Sequence, residues 1–393
     1  MAESSPTDVI VVGAGPAGAA AAYFLSEAGL KVVVLEKAPL PRYKPCGGGL
    51  SAQMLEKYFP FSFKPVFEVQ AKSVSYALGS HFVTVPVPQS SMRLVMRDRF
   101  DAFILSHASA EVCTDAVVTR VQESGTRVKV ETADGRVFEA RYLIGADGAN
   151  SVVARELGFR RGRTLLGAIE AEAVVPPDVL ARFSDGPVFI VGELDHGYLW
   201  IFPKSDHLSV GVGALHPKAG ELQATLKRVM LRHGISLEGV RLHGHTIPIY
   251  TRREPIATAR TFLVGDAAGL VDPFSGEGIR PAIKSSRLAA DAILSNHPEQ
   301  YPRQVYRKIG ISHTLGWIVM WIFFSFQTLS FALFVPNPVV TRAFLAMLSD
   351  RGNYLDTLLR ALVSSPGFIV TQIIKFIARR FLPQRPPPST SSD

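Results

Sequence analysis

The sequence predicts an α/β + β protein: a Rossmann-like domain interleaved with a β-sheet domain and followed by a helical, apolar C-terminal region. Three observations predict it. A glycine-rich turn stands between an apolar strand and an alanine-rich helix near the start of the chain. Residues 160–250 read as a succession of short strands. Residues 309–341 contain no Asp, Glu, Lys or Arg.

The first of these is the most informative. Residues 8–12 (DVIVV) have the composition of a buried parallel strand. Gly13-Ala14-Gly15-Pro16-Ala17-Gly18 follows and opens the helix, and residues 31–35 (KVVVL) form the second strand, closed by Glu36 and Lys37. Gly13 permits the tight turn, Gly15 lets backbone approach a pyrophosphate, and Gly18 lets the helix pack close to the strand. The start of the helix turns free N–H groups and a partial positive charge towards phosphates. Glu36 can accept hydrogen bonds from a ribose diol and would repel a 2′-phosphate. A lone GxGxxG is weak evidence, but one held between strand and helix with an acid at this distance is strong. A glycine-rich turn without a ligand is the weaker reading. The unit binds an ADP moiety, of FAD or NAD.

Residues 39–50 (PLPRYKPCGGGL) are too irregular for a strand or helix. Cys46 followed by Gly47 and Gly48 suggests backbone lying against something flat or bulky, and the position just after the ribose-binding acid favours this over a free surface loop. Residues 66–87 alternate as strands of an inserted sheet. Arg97 opens a helix carrying Phe100, Phe103, Ile104 and His107 at helical spacing, and it can reach a phosphate or a flavin edge, the alternative being a solvated arginine. Residues 128–148 form a hairpin turning at Asp134-Gly135 and ending in a second turn, Gly145-Ala146-Asp147-Gly148, before a helix start at Ser151.

Within residues 160–250, Tyr198, Trp200 and Phe202 fall on one strand face and Leu199 and Ile201 on the other. With the second face already apolar, three large aromatics suit the wall of an apolar ligand site better than a core. His243 and His245 share a strand face without other ligands nearby and read as structural. Residues 261–266 are an apolar strand ending in Gly265-Asp266, and residues 271–279 are a turn with Gly276, Gly278 and Ile279 that feeds a helix. A carboxylate at that strand end can hold ribityl hydroxyls, and a helix N terminus aimed at a flavin pyrimidine stabilises negative charge on the reduced ring. Two signatures so far apart in sequence favour FAD over NAD.

The charge is uneven. The net value is +8, and residues 301–393 hold ten Lys/Arg against three Asp/Glu. These charges flank very apolar segments, which fits an anionic membrane surface better than nucleic acid. Residues 317–335 are long enough to span a bilayer once, and they equally suit a buried helix lining a lipid tunnel or one in the interface. Residues 368–381 form a basic amphipathic helix of the in-plane membrane type, and residues 386–393 a disordered end. The polar N terminus lacks a signal sequence, placing the protein in the cytoplasm, peripherally on the membrane. Cys46 and Cys113 give neither a disulfide framework nor metal spacing.

Taken together, GAGPAG, the PRYKPCGG loop, Arg97-x-x-Phe100-Asp101, GADGANS, GYLWIFPK and GDAAG resemble the geranylgeranyl reductase family, within the flavoproteins of p-hydroxybenzoate-hydroxylase-like fold. GAGPAG, GADG and GDAAG mark the wider superfamily; KPCGG and Tyr-x-Trp-x-Phe-Pro single out the prenyl reductases. The resemblance covers residues 8–300 and implies a discontinuous FAD-binding domain (1–60, 91–158 and 255–300) and a β-rich substrate domain (61–90 and 159–254); the composition of the tail adds a helical, basic, membrane-associating region (301–385). It implies reduced FAD delivering hydride to a prenyl double bond. Gly13, Gly15, Pro16, Ala17, Gly18, Glu36, Lys37, Arg97, Asp147, Gly148, Asp266, Gly276, Gly278 and Ile279 then hold FAD, with Cys46, Gly47 and Gly48 facing its isoalloxazine. Tyr198, Trp200 and Phe202 line the prenyl tunnel, and Cys46 is either the proton donor, a positioning group or a small buried thiol. With no second GxGxxG, the electron donor is NADPH in the shared groove or ferredoxin. The loop reads CGGGLS, closer to the lipid and quinone reductases than to those acting on chlorophyll pigments. The rival is an FAD monooxygenase of an aromatic or polyene, which explains neither KPCGG nor the lipid-like tail.

Overall fold

The computed structural model describes residues 7–88, 91–159, 163–364, 367 and 370. Strand β1 (Thr7–Val12) lies inside a seven-stranded sheet, with β2 (Val32–Leu35) and β11 (Val137–Gly145) parallel on either side. All four residues of β2 are buried, which is why the run carries no polar alternation. β8 (Glu111–Cys113) extends this edge in parallel. β11 pairs through its first half with antiparallel β10 (Val128–Thr132), itself paired to β9 (Val118–Glu123), and through its last residues with parallel β17 (Thr261–Leu263). Helix α1 (Pro16–Glu27) covers this sheet, flanked by α3 (Arg97–Ser106) and α7 (Ile279–Leu294), and α4 (Val152–Glu156) packs beside β9. A Cβ on Gly18 would overlap Gly13 O, so the closeness of α1 to the end of β1 depends on that glycine.

The second sheet also has seven strands, in the order β16-β12-β15-β14-β13-β5-β6. It joins two separate stretches of chain, β5 (Ser73–Leu78) and β6 (His81–Pro86) with β12 (Thr164–Ala173), β13 (Val188–Val191), β14 (Gly197–Pro203), β15 (Leu208–Leu215) and β16 (His243–Ile249). One face is a core: Leu199, Ile201, Val210 and Val212 pack on Leu226, Val229 and Met230 of α6 (Glu221–Arg232). This helix lies in the region read from sequence as strands, and its apolar residues recur at helical spacing. A small sheet of β3 (Gly49–Leu50), β4 (Phe67–Gln70) and β7 (Arg93–Val95) takes β4, which sequence alone assigned to the larger one. Helix α2 (Ala52–Tyr58) follows β3, and α5 (Pro177–Ala181) is a short surface turn.

The tail is a set of short helices: α8 (Gln300–Val305), α9 (Ile311–Ser325), α10 (Gln327–Phe334), α11 (Pro338–Leu348) and α12 (Tyr354–Ser364). Of the three readings of 317–335, a span as one straight helix is not what the structure shows. Among the described residues no single helix is long and apolar enough to cross a membrane, and the helical run 300–325 is bent by 112° from α10. The break falls at Ser325-Phe326-Gln327, where polar side chains interrupt the apolar run and Phe326 leaves helical geometry (φ −119°, ψ 45°). Pro338 starts α11 rather than ending helical structure, with Asn337 Oδ1 accepting from Val339 N at 2.9 Å. Met320 of α9 is buried with Leu166, Leu215 and Ile249 of the second sheet. Apart from Val370, the basic segment expected at 368–381 lies outside the described residues, as does the end at 386–393.

Candidate active site

One cavity of about 850 Å³ runs from the glycine turn, across the second sheet, to the tail helices. Of the residues assigned from sequence to the cofactor or the prenyl chain, all line it except Gly18, which lies behind the turn it packs against.

At the glycine end, α1 and α7 both begin on the cavity wall without a side-chain cap, so their first N–H groups are left for a ligand. Glu36 is buried below the turn, accepting from Ala14 N at 2.7 Å and Ala38 N at 3.2 Å, with Arg42 Nε 3.3 Å away. Arg97 is held by a bidentate pair with Asp101, both bonds at 2.8 Å; burial works against its charge, and the Asp101 carboxylate outweighs burial and holds the pKa up. Asp147 is shared: Oδ2 accepts from Val152 N (2.7 Å) and Val153 N (3.1 Å) and so fixes α4. Its Oδ1 is buried without a hydrogen-bond partner among the described residues. Burial raises the pKa of both Asp147 and Asp266, the latter offset by Lys44, Arg97 and Arg163. Uncapped helix starts, an unsatisfied buried carboxylate oxygen and a turn with no room for side chains fit a dinucleotide cofactor.

The loop after Glu36 closes over the middle of the cavity. Lys204, at the end of the aromatic strand, donates to Gly47 O (2.8 Å) and Val95 O (2.9 Å), stapling the loop to β7. A Cβ on Gly47 would stand 2.7 Å from Phe202 Cδ2, so the glycines let the loop lie against the aromatic wall. Gly48 N donates to Cys46 Sγ at 3.3 Å, which fixes the thiol in the cavity wall.

Strand register builds the cavity face of the second sheet row by row. Tyr198, Gly213, Ala168 and His245 form one row across β14, β15, β12 and β16; Trp200, Gly211, Glu170 and His243 form the next, and Phe202, Ser209 and Glu172 the third. The face therefore grades from aromatic to acid and histidine. His243 and His245, read from sequence as structural, both line the cavity. Lys44 Nζ contacts His245 Nε2, and the Tyr43 ring lies on His243 at 4.6 Å. Burial and Arg97 push Lys44 down to about 8; burial and Lys44 push His245 down to about 4. Tyr198 Oη donates to Ser275 O at 2.6 Å, tying the aromatic strand to the turn before α7. Beyond the aromatics the cavity continues between Val319, Phe323, Phe331, Phe344, Leu348 and Leu358 of the tail. Sequence reasoning had singled out neither Tyr43, Lys44, Glu170 nor Lys204 by role.

Residues 6–296 match the FAD binding domain family. The geranylgeranyl diphosphate reductase of Rhodobacter capsulatus is 31% identical over 301 residues, covering 73% of this chain and 75% of that one. The chain belongs to the geranylgeranyl reductase family. It is an FAD-binding oxidoreductase acting on CH–CH groups. A menaquinone reductase of Mycobacterium tuberculosis is 28% identical over 323 residues, covering 75% of this chain and 78% of that one. Among solved structures, a geranylgeranyl bacteriochlorophyll reductase-like protein of Thermoplasma acidophilum shares the fold with a TM-score of 0.75 at 23% identity, covering 94% and 99% of the two chains. The halogenase PltM shares it too, with a TM-score of 0.69 at 18% identity over 97% and 93%. The fold alone therefore does not choose between reductive and oxygen chemistry.

Proposed function

We propose that this protein is an FAD-dependent reductase that saturates C=C bonds of a geranylgeranyl or related polyprenyl chain, carried by a lipid, a diphosphate, a quinone or a chlorophyll-type pigment. The observation that carries this reading is the single cavity joining the glycine turn to an aromatic and aliphatic gallery. A prenyl chain has little for polar groups to recognise, and such a gallery holds it by burial alone. Gly13, Gly15 and the start of α1 would hold the pyrophosphate of FAD, and Glu36 the adenosine ribose. Arg97, Asp147, Gly148 and Asp266 would hold the middle of the cofactor, with Gly276, Gly278 and Ile279 at the ring. When bound and reduced, FAD supplies a hydride. An isolated alkene offers no oxygen to polarise, so the protein's contribution is largely to hold the chain against the ring with water excluded. Tyr198, Trp200 and Phe202 do the holding, and Cys46 lies where the two halves of the cavity meet. The reductant is NADPH or a ferredoxin, and a membrane surface supplies the prenyl substrate.

The test is anaerobic. The purified flavoprotein is reduced with dithionite and mixed in turn with geranylgeranyl diphosphate, a geranylgeranylated pigment and a menaquinone. Flavin reoxidation with a two-mass-unit gain in one product is expected. Reoxidation by oxygen alone, with a hydroxylated product, would replace this reading by a monooxygenase.

A further inference from the structure

The cavity face carries two acids that the proposed function does not use. Glu170 and Glu172 stand on β12 on the same face, and Glu170 is only 2% exposed. Tyr43 Oη donates to Glu170 Oε2, Ser209 Oγ donates to Oε1 at 3.0 Å, and Glu172 lies within hydrogen-bonding reach of Glu170. Glu172 Oε2 is 3.0 Å from His207 Nε2, whose Nδ1 is 2.6 Å from Asp206 Oδ1. Asp206 stands in solvent, its side chain 81% exposed. At the cavity end stands Tyr43, itself 40% exposed, with Cys46 as a neighbour. Protonatable groups thus succeed one another from solvent to the cavity.

The chemistry needs such a route. Saturating an alkene adds a hydride to one carbon and a proton to the other, and an apolar gallery excludes the water that would otherwise bring the proton. We infer that the proton consumed at the alkene enters from solvent through His207, Glu172, Glu170 and Tyr43. The inference rests on the reductase reading. The Tyr43 O–H bond breaks as the new C–H bond forms, and the phenol oxygen takes the proton of Glu170. Glu170 is recharged through Glu172 from His207, which takes its proton from water. The hydride and its electron pair come from reduced flavin, which is left oxidised, so the alkene gains one hydride and one proton.

The protonation states suit the roles. Glu170 faces Glu172 on its own strand, Ser209 of β15, His243 of β16, Lys204 just after β14, and Tyr43 of the loop; His207 in turn faces Glu172, and Cys46 faces Tyr43. Burial and the Glu172 carboxylate beside it push the Glu170 carboxyl well above the usual carboxylate range, which favours its protonated form. Burial lowers the pKa of His207, but Glu172 and Asp206 outweigh it and hold the imidazole above its ordinary value. Burial, with Glu170 beside it, raises the Tyr43 phenol and keeps it a donor.

Two measurements test the path. Infrared titration of the flavin-free protein should show a protonated carboxyl band that disappears with a midpoint well above the usual carboxylate range and is missing in Glu170→Gln. In anaerobic reoxidation by the prenyl substrate, the wild-type rate should fall as pH rises through that midpoint. Glu170→Gln and Tyr43→Phe should each slow it about a hundredfold at pH 7 and lose the inflection, with substrate affinity retained. His207→Gln, at the outer end of the path, should slow it in the same direction. Wild-type rates in these variants, or slowing with the inflection intact, would overturn the path, as would absence of the carboxyl band. A band that is present while no prenyl compound reoxidises the wild-type flavin would mean that the reductase reading has failed, taking the path with it.

Discussion

The indole of Trp200 fills the space that a side chain on Gly211 would need: a Cβ built there would overlap Trp200 Cε2, Cζ2 and Cη2. The two residues are cross-strand partners, and Glu170 is the partner of Gly211 on the other side. One glycine in β15 therefore lets the aromatic wall lean across the sheet until it meets the acid row. Gly211→Ala should force the indole out of this position, at a cost of about 1–3 kcal/mol in stability. Thermal unfolding should shift down by several degrees, and the KM for a prenyl substrate should rise. An unchanged melting temperature and KM would show that the leaning ring does not shape the wall.

Asp350 joins the tail to the cofactor-binding half. Its carboxylate accepts from Lys57 Nζ at 2.5 Å, Tyr58 Oη at 2.8 Å and Lys284 Nζ at 2.5 Å, reaching α2 and α7 from the end of α11. Burial opposes its charge, but Lys284, Lys57 and Tyr58 hold its pKa below the usual carboxylate value. Asp350→Asn leaves Lys284 and Arg280 without that charge in a buried site, costing about 3–5 kcal/mol. Trypsin should then cut at Arg342 and Arg351 well before the remainder of the chain. Equal cleavage rates in variant and wild type would rule out this carboxylate as the tail's anchor.

These two contacts mark the limit of sequence reading. The turn at Gly13–Gly18, Glu36 after β2 and the hairpin at 128–148 are legible because each is a local pattern of strand, turn and helix. The inward placement of His243 and Glu170 is not, since it depends on β12 being paired with β16 and β15, and no local signal sets that register. Asp350 lies 293 residues from Lys57, and nothing in either neighbourhood announces the pair. Hydropathy finds the apolar run at 317–335 but is blind to its bend at Phe326. A run long enough to cross a bilayer if straight is bent beside the cavity.

Acid should loosen the same region through His313. This side chain in α9 is 1% exposed, its Nε2 lies 3.5 Å from Asp272 Oδ2, and Arg280 and Lys284 face it as well. Burial pushes its pKa down to about 4, against 6.5 for the ordinary group. Below pH 6.5 the unfolded chain binds a proton that the folded one does not, so stability is complete above 6.5 and falls as pH drops towards 4. The loss is about 3 kcal/mol at most. Because His245 is displaced the same way and His207 the opposite way, the informative quantity is a difference between two proteins. Urea unfolding of wild type and His313→Gln from pH 7 to 4 should show a shallower decline in the variant. Parallel curves would assign the acid sensitivity elsewhere.

The bend at Phe326 is apolar on both sides. Phe323 and Phe331 face the cavity, while Ile318, Trp321, Ile322, Phe326 and Leu329 are exposed, Phe326 by 63%. Clustered side chains of this size rarely face water in a monomer without a partner. Residues 301–393 carry ten basic and three acidic residues, which suits a negatively charged bilayer. A membrane seated on the bend would place lipid-borne prenyl chains a single helix thickness from the gallery. The protein should therefore sediment with vesicles containing anionic lipid, less so with neutral ones or at high salt. Burying a large apolar side chain contributes about 1.5–3 kcal/mol, so replacing two exposed ones, Ile322→Asp with Phe326→Asp, should lower vesicle partition about a hundredfold, by the order of ~3 kcal/mol. Neither residue lines the cavity, so turnover of a short prenyl substrate in detergent should persist. If the double variant partitions like the wild type, the exposed face serves something other than a membrane.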